Sequence, residues 1–324
     1  MKSSNALRSI YAHALRFCVK KGLVLQLKKS LAIEERHRFK KLKISKKGLH
    51  MLDAVHCLYD KSRTHLFLEE IRQHATKKSI VIEAGFGTGV LAFFAATQAR
   101  DVYGVEINPA TFRLARDIEN YLIESKVLNH EPKLLLGDAT KIHMPEKADI
   151  IVNENIYTGI FFENQVQIMR HMKRFLKKGG IMIPESLHSH VILSETVFPH
   201  TPKHRELFVP MHEKNIKSKM LSKASEYDIL DFNEKISSGI NKTLTMPVTK
   251  SGTLNSVLIY TDVFMPSGKK VGRNATRFLN NDIILALHPS STVEKGDIVR
   301  LHLSYPYGAK PSKATLKAVI MKST

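Results

Sequence analysis

The sequence predicts an α/β protein, a doubly wound parallel sheet followed by a C-terminal antiparallel β-barrel or sandwich domain. Three observations carry that expectation. From Ile80 onward the chain alternates short β-branched runs with helical segments, which forces parallel pairing and right-handed crossovers. A glycine loop, Gly85-Phe86-Gly87-Thr88-Gly89, joins the first strand to the first helix. After about residue 190 the helical period fades, and strand-like runs are divided by turn residues. With 324 residues there is room for two domains of roughly 150 residues each. The expected division is a basic helical arm over 1–50, the α/β domain over 51–190 and the β-rich domain over 191–324.

Residues 6–31 read as one amphipathic helix, with Leu7, Ile10, Leu15, Val19 and Leu23 between basic residues and Gly22 weakening the second half. A second helix is expected over 51–63, where Met51, Leu52, Val55, Leu58 and Tyr59 share a stripe after the breaker Gly48. Strands follow over 79–83 and 101–106, flanking an apolar helix over 90–98. Asn108-Pro109 opens the next helix, running to Ile123. Further strands are expected over 133–136, 148–152 and 181–184, with a helix over 164–176 and a Lys177-Lys178-Gly179-Gly180 turn before the last. Strand-like runs in the last third span 227–232, 242–248, 253–264, 282–287, 297–304 and 314–320.

Hydrophobic residues at 43% and charged residues at 25% are globular values, which excludes a disordered tail. Cys18 and Cys57 are too few for a disulfide framework and lack metal-site spacing, so reducing conditions, a cytoplasmic location and no metal are expected. No apolar run approaches the roughly 20 residues that span a bilayer. The formal charge is +20. Residues 1–50 carry fourteen Lys and Arg against Glu34 and Glu35, a surplus of twelve. Such an arm attracts a polyanion, so nucleic acid is one partner it suits; a solvated face and an amphipathic transit peptide are the alternatives.

A glycine loop between the first strand and first helix of a doubly wound sheet lies at the carboxyl edge, where ligands bind. Glycines at 85, 87 and 89, with Val90 where the dinucleotide fingerprint wants a third small residue, disfavour a pyrophosphate. Instead the loop allows close backbone approach to a ligand. Glu106, ending the second strand, is placed for two ribose hydroxyls, and Glu83, just before the glycines, for a cationic or amino group. Asp138, in Gly137-Asp138-Ala139 after the third strand, is placed for an adenine amino group. Ribose, adenine and a cation describe S-adenosylmethionine.

The segments Glu83-Ala84-Gly85-Phe86-Gly87-Thr88-Gly89, Glu106 and Gly137-Asp138-Ala139 resemble the cofactor motifs of class I S-adenosylmethionine-dependent methyltransferases, whose Rossmann-like domain would be the 51–190 segment. A narrower resemblance is to the protein arginine methyltransferases. It rests on Asn153-Glu154-Asn155-Ile156-Tyr157-Thr158-Gly159-Ile160-Phe161-Phe162-Glu163, similar to that family's double-glutamate loop, and on Lys178-Gly179-Gly180-Ile181-Met182-Ile183-Pro184-Glu185, similar to its next strand. This resemblance implies that Glu154 and Glu163 grip an arginine guanidinium in a protein substrate, with Glu83, Gly85, Gly87, Gly89, Glu106, Asp138 and Ala139 binding the cofactor. It also implies a homodimer.

The sequence departs from that pattern at several places. The family's Trp-Met-Gly is replaced by Asn155-Ile156-Tyr157, with a glycine appearing at Gly159. The chain has no Trp, and Leu287-His288-Pro289 is the nearest candidate for the family's Thr-His-Trp. The family's carboxylate-binding arginine aligns near His56, and the region of its dimerisation arm, 195–226, is short. Plainer roles exist for these residues: a loop acid for Glu154, a helix N-terminal acid for Glu163, a solvent-facing position for His56. Alternative functions are methyl transfer to RNA or a small molecule on the same cofactor fold, or a non-catalytic binding module. Against base methylation, the fourth strand ends in Asn153-Glu154-Asn155-Ile156 rather than Asn-Pro-Pro-aromatic.

Overall fold

The computed structural model describes residues 2–36, 50–198, 207–208, 216–273, 275–276 and 281–323. Two compact units result, one of residues 1–154 and 167–183, the other of residues 155–166 and 184–324.

The first unit opens with α1 (Lys2–Lys20) and α2 (Leu23–Arg36). The single helix expected over 6–31 is interrupted at Lys21 and Gly22, because Gly22 takes φ +68°, a left-handed conformation that ends α1. Ile10, Tyr11, Ala14, Phe17 and Cys18 of α1 are buried, while Arg8, Arg16, Lys20 and Lys21 stay exposed. The Tyr11 hydroxyl donates to the Leu58 carbonyl at 2.9 Å, so the helix is docked through its apolar stripe and shows its cations outward. Residues 37–49 of the expected arm, and 199–206 and 209–215 of the 195–226 region, lie outside the described residues.

Next come α3 (Met51–Tyr59), capped by His50 and Asp53, and α4 (Lys61–His74), whose N-cap Asp60 accepts the Arg63 amide at 3.2 Å. The parallel sheet is built from β1 (Ile80–Ala84), β2 (Asp101–Glu106), β3 (Lys133–Leu136), β4 (Ala148–Val152) and β5 (Leu176–Ile183) in the order β3-β2-β1-β4-β5. β1 is central, which is why its five residues are all buried. The connecting helices are α5 (Val90–Ala96), α6 (Pro109–Glu124) and α7 (Gln165–Met172). The helix expected to reach 176 stops at Met172, and a single 3-10 turn over Lys173–Phe175 hands the chain to β5. The expected 177–180 turn is instead part of β5, accommodated by Gly179 at φ +76° where the pairing with β4 shifts register.

The second unit is all antiparallel. Its larger sheet contains β6 (Ser186–Thr196), β7 (Leu207–Phe208), β8 (Ser218–Met220), β9 (Ser225–Asp231), β11 (Gly252–Phe264), β12 (Lys270–Val271) and β13 (Ile283–Val293). Its smaller sheet pairs β10 (Gly239–Pro247), β14 (Ile298–Pro306) and β15 (Thr315–Met321) in that order. The larger sheet runs β7-β13-β11-β6-β8, with β9 on β6 and β12 on β11. No closed barrel forms among the described residues, so of the two expected architectures two separate sheets are observed. All six strands expected in this part are present. β6, the long strand the sequence reading lacked, pairs with β11 along Ser186–Ser194.

Candidate active site

The carboxyl edge of the parallel sheet gathers the acids singled out in the sequence. Glu83 is the penultimate residue of β1, Glu106 the last of β2, Asp138 follows β3 and Glu154 follows β4. Between β1 and α5 the loop turns through three left-handed glycines, Gly85, Gly87 and Gly89, at φ +80°, +55° and +79°. A Cβ at these positions would be strained whatever the space around it. At Gly89 it would also lie 2.5 Å from the Phe93 ring.

Glu106 is buried, and its two oxygens hold this loop to the next one. Oε2 accepts the Gly87 amide at 3.0 Å and Oε1 the Asn108 amide at 2.8 Å. A carboxylate has about four lone-pair positions, so these amides leave capacity for a ribose hydroxyl. Burial pushes its carboxyl up, opposed by the amides of Asn108, Gly87 and Ile107. Glu83 is 3% exposed. Burial raises its carboxyl well above the usual carboxylate range, the Ala92 amide pulls the other way, and the charge of Glu106 adds to the rise. One oxygen, Oε2, is buried without a hydrogen-bond partner. An orphaned acceptor beside a second acid is a site for a cation. The residues present therefore fit S-adenosylmethionine: Glu106 would meet a polar nucleoside edge, and Glu83 a positive group.

Asp138 is half-buried, with Oδ1 taken by the Thr140 amide at 2.9 Å and hydroxyl at 2.7 Å. Burial raises this carboxyl, but the two Thr140 hydrogen bonds and Lys141 bring it net below its ordinary value. It thus stays ionised, with Oδ2 turned toward Lys141 at 3.8 Å. Ala139 is buried beside it, where a larger side chain would crowd the edge. His56 lies half-buried in the last turn of α3, whose Ala54 Cβ sits 3.6 Å from where a Cβ on Gly87 would be.

The basic residue that meets the acids is Arg63, which sequence reasoning missed. Buried on α4, its guanidinium covers both oxygens of Glu154, Nε against Oε1 and a terminal nitrogen against Oε2. The Arg-Thr pair one turn into an Asp-capped helix was the available signal. Glu154 is 14% exposed on its side chain and belongs to the same unit as the glycine loop.

Glu163 belongs to the other unit, at the end of the 155–166 segment. It is half-buried, and its amide closes on the Phe161 carbonyl at 2.6 Å. Gly159, which replaces the family's earlier glycine, takes φ +65°, and a Cβ there would meet the Phe161 ring at 2.7 Å. His288 is exposed within β13.

The profile of the methyltransferase domain family matches residues 75–260, more than half of the chain. The chain belongs to that family. This methyltransferase uses S-adenosylmethionine and is of class I, with a likeness to protein arginine methyltransferases. An uncharacterized protein of Methanocaldococcus jannaschii is 26% identical over 253 residues, 78% of this chain and 90% of that protein. The histone-arginine methyltransferase CARMER of Drosophila persimilis is 29% identical over 130 residues, 39% of this chain. The methyltransferase spans only 24% of the length of that relative. A solved Trypanosoma brucei PRMT1 enzyme-prozyme heterotetrameric complex with AdoHcy shares the fold, with TM-score 0.62 at 15% identity over 84% of this chain and 98% of that one. No helix among the described residues is long and apolar enough to cross a membrane.

Proposed function

We propose that this methyltransferase acts on a nitrogen of the arginine guanidinium in a protein substrate, with Glu154 and Glu163 as the acids that hold the acceptor. One observation carries the reading: Glu154 already holds a guanidinium by both carboxylate oxygens, that of Arg63. A planar fork of N–H donors fits a carboxylate in this two-point fashion, whereas a point charge such as lysine does not. The relationship to a histone-arginine methyltransferase points the same way.

When bound, S-adenosylmethionine supplies an electrophilic methyl group on a sulfonium and leaves as the neutral thioether. This chain's own residues do the rest. The glycine loop, Glu106, Asp138 and Ala139 hold the nucleoside, and Glu83 receives its positive end, while His56 is the further cofactor contact implied by alignment. Glu154 fixes the plane of the acceptor guanidinium and draws its positive charge away from the attacking nitrogen, which sheds one proton to a carboxylate or to water. The acceleration comes from positioning and charge placement.

Incubating the full chain with tritiated S-adenosylmethionine, core histones and, separately, total RNA tests this. Label recovered in methylarginine after acid hydrolysis of the histones is the expected result. Label confined to RNA overturns the arginine reading and favours the second one, methylation of RNA drawn in by the exposed Arg8, Arg16, Lys20 and Lys21 of α1 and α2's leading edge. In the arginine reading the chain acts as a homodimer in the cytoplasm, with sedimentation of the purified protein and fractionation of cells as the measurements.

A further inference from the structure

We propose that four buried hydroxyls, those of Thr261, Ser189, Tyr227 and Tyr305, form a ring of two hydrogen-bonded pairs that grips Gly159 from both sides and so positions Glu163 for the acceptor. The inference rests on the reading that Glu163 serves the acceptor. Every group in the ring lies in the second unit.

Gly159 is gripped on both sides of its residue. Its amide donates to Thr261 Oγ1 at 2.8 Å, and its carbonyl accepts the Tyr305 hydroxyl at 2.8 Å. On one side the Thr261 and Ser189 hydroxyls lie 3.1 Å apart, and on the other those of Tyr227 and Tyr305 lie 2.7 Å apart. Each hydroxyl has one proton to give. Tyr305 spends its proton on Gly159, so Tyr227 must donate to Tyr305. The two pairs thus hold the Gly159 amide and carbonyl from either side. Such chains polarise one another, and at 0–3% exposure water cannot substitute for a missing member.

What the ring restrains is a strained piece of backbone. Gly159, Ile160 and Phe162 take φ +65°, +58° and +60°, and two of these are non-glycine residues, one of them β-branched. The Glu163 amide bonding the Phe161 carbonyl makes Phe162 the centre of a γ-turn of the rare positive-φ form. Strain of this kind persists only where the surroundings over-determine it. Here the surroundings do so. The Gly308 amide donates to the Ile160 carbonyl at 2.8 Å, the Phe162 amide to the Ala309 carbonyl at 3.1 Å, and the Phe161 ring stacks on Tyr305 at 4.2 Å between centroids. With the ring opened, the segment relaxes toward φ below zero and Glu163 swings with it. A loop that served only to connect β4 to α7 would gain by that relaxation, so the strain is retained for the placement of the acid at its end.

The test uses the full chain carrying Thr261→Val, Thr261→Ser or Tyr305→Phe. Valine matches the shape of threonine but cannot take the Gly159 amide; serine can. The first readout is amide hydrogen exchange over 158–163. Faster exchange there in Thr261→Val and Tyr305→Phe, restored by Thr261→Ser, with residues 85–89 unchanged, is expected; unchanged exchange at 158–163 overturns the ring. The second readout is turnover on core histones with tritiated S-adenosylmethionine. A fall in kcat of about tenfold or more with KM for the cofactor unchanged, recovered in Thr261→Ser, is expected. Faster exchange with unaltered kcat overturns the positioning role. Glu163→Gln separates the two ideas. Should that variant keep full activity, the assignment of Glu163 fails; should it lose activity while Tyr305→Phe does not, only the ring inference fails.

Discussion

The Arg63 guanidinium on α4 covers both carboxylate oxygens of Glu154, although 91 residues of chain separate them. Each partner is largely withdrawn from water, so each charge depends on the other for its solvation. The pair is thus both a structural tie from α4 to the end of β4 and a standing example of what Glu154 binds. Glu154→Gln keeps the shape but loses the charge. Its kcat for methyl transfer should fall by about 10²–10³-fold, the size typical for removal of one electrostatic stabiliser, while cofactor affinity in a calorimetric titration stays within about twofold. Unaltered kcat would remove Glu154 from the chemistry.

Arg63 variants separate charge from fork. Arg63→Met leaves Glu154 as a poorly solvated, unpaired charge, and urea unfolding should show a loss of about 3 kcal/mol. Arg63→Lys supplies the charge without the two-point geometry and should lose about 1 kcal/mol. Equal losses in both would mean that the planar geometry contributes nothing.

The last two glycines of the loop, Gly87 and Gly89, differ in what surrounds them. A methyl group on Gly87 meets only Ala54 at 3.6 Å, an ordinary contact, so Gly87→Ala suffers the left-handed backbone alone, about 1–2 kcal/mol. On Gly89 the same methyl lies 2.5 Å from the ring of Phe93, which is fully buried. Gly89→Ala should therefore lower the thermal midpoint further than Gly87→Ala, by an added 1–3 kcal/mol or about that. A scanning fluorimetry ranking in the opposite order would contradict this account.

Much of this architecture was legible because its signals are local. The β-branched run ending in Glu83, the three glycines and the apolar start of α5 are adjacent in sequence, and all three glycines take left-handed conformations. The same is true of Asn108-Pro109 opening α6, where the Asn108 side chain accepts the Ala110 amide at 2.9 Å. What escaped depends on distant partners. Lys-Ser-Arg-Thr looks like any helix start until β4 brings Glu154 to it, so Arg63 went unnoticed. The hold of Thr140 on Asp138 Oδ1 was not legible either, because it is a matter of turn conformation. The hydroxyl ring draws on β6, β9, β11 and β14, and no periodicity announces a serine, a threonine and two tyrosines that meet only through sheet register.

With Glu83 as the proposed receiver of the cofactor's positive end, cofactor binding should depend on pH. In the free protein its carboxyl is raised well above the ordinary value, chiefly by burial, so it tends to hold a proton. A cation bound at its unpartnered oxygen favours the ionised form, and the proton must leave. Affinity for S-adenosylmethionine should therefore strengthen as pH rises from about 5 through the raised range. Calorimetry in buffers of different ionisation enthalpy should record proton release. Glu83→Gln should flatten the pH slope and weaken binding by about ten- to a hundredfold, the worth of a charged hydrogen bond. Binding that weakens with rising pH would assign Glu83 elsewhere.

Glu119 on α6 sets a pH dependence of the fold itself. It is fully buried, its Oε2 accepts Arg116 Nη1 at 2.5 Å, and its Oε1 has no hydrogen-bond partner. Burial pushes its carboxyl up to about 7, against the opposing charge of the half-exposed Arg116. An acid whose folded value is raised binds its proton more tightly folded than unfolded, so the native state is favoured below the ordinary carboxylate range and loses ground as pH climbs toward 7. With Arg116 screened by solvent, the loss should be about 2 kcal/mol between pH 4.5 and 7. Glu119→Gln removes the ionisation and should be more stable than the parent at pH 7.5, but not at pH 4.5, in urea unfolding at the two values. An equal effect at both would mean that the carboxyl ionises over the same range in the folded and the unfolded chain, and that burial does not raise it.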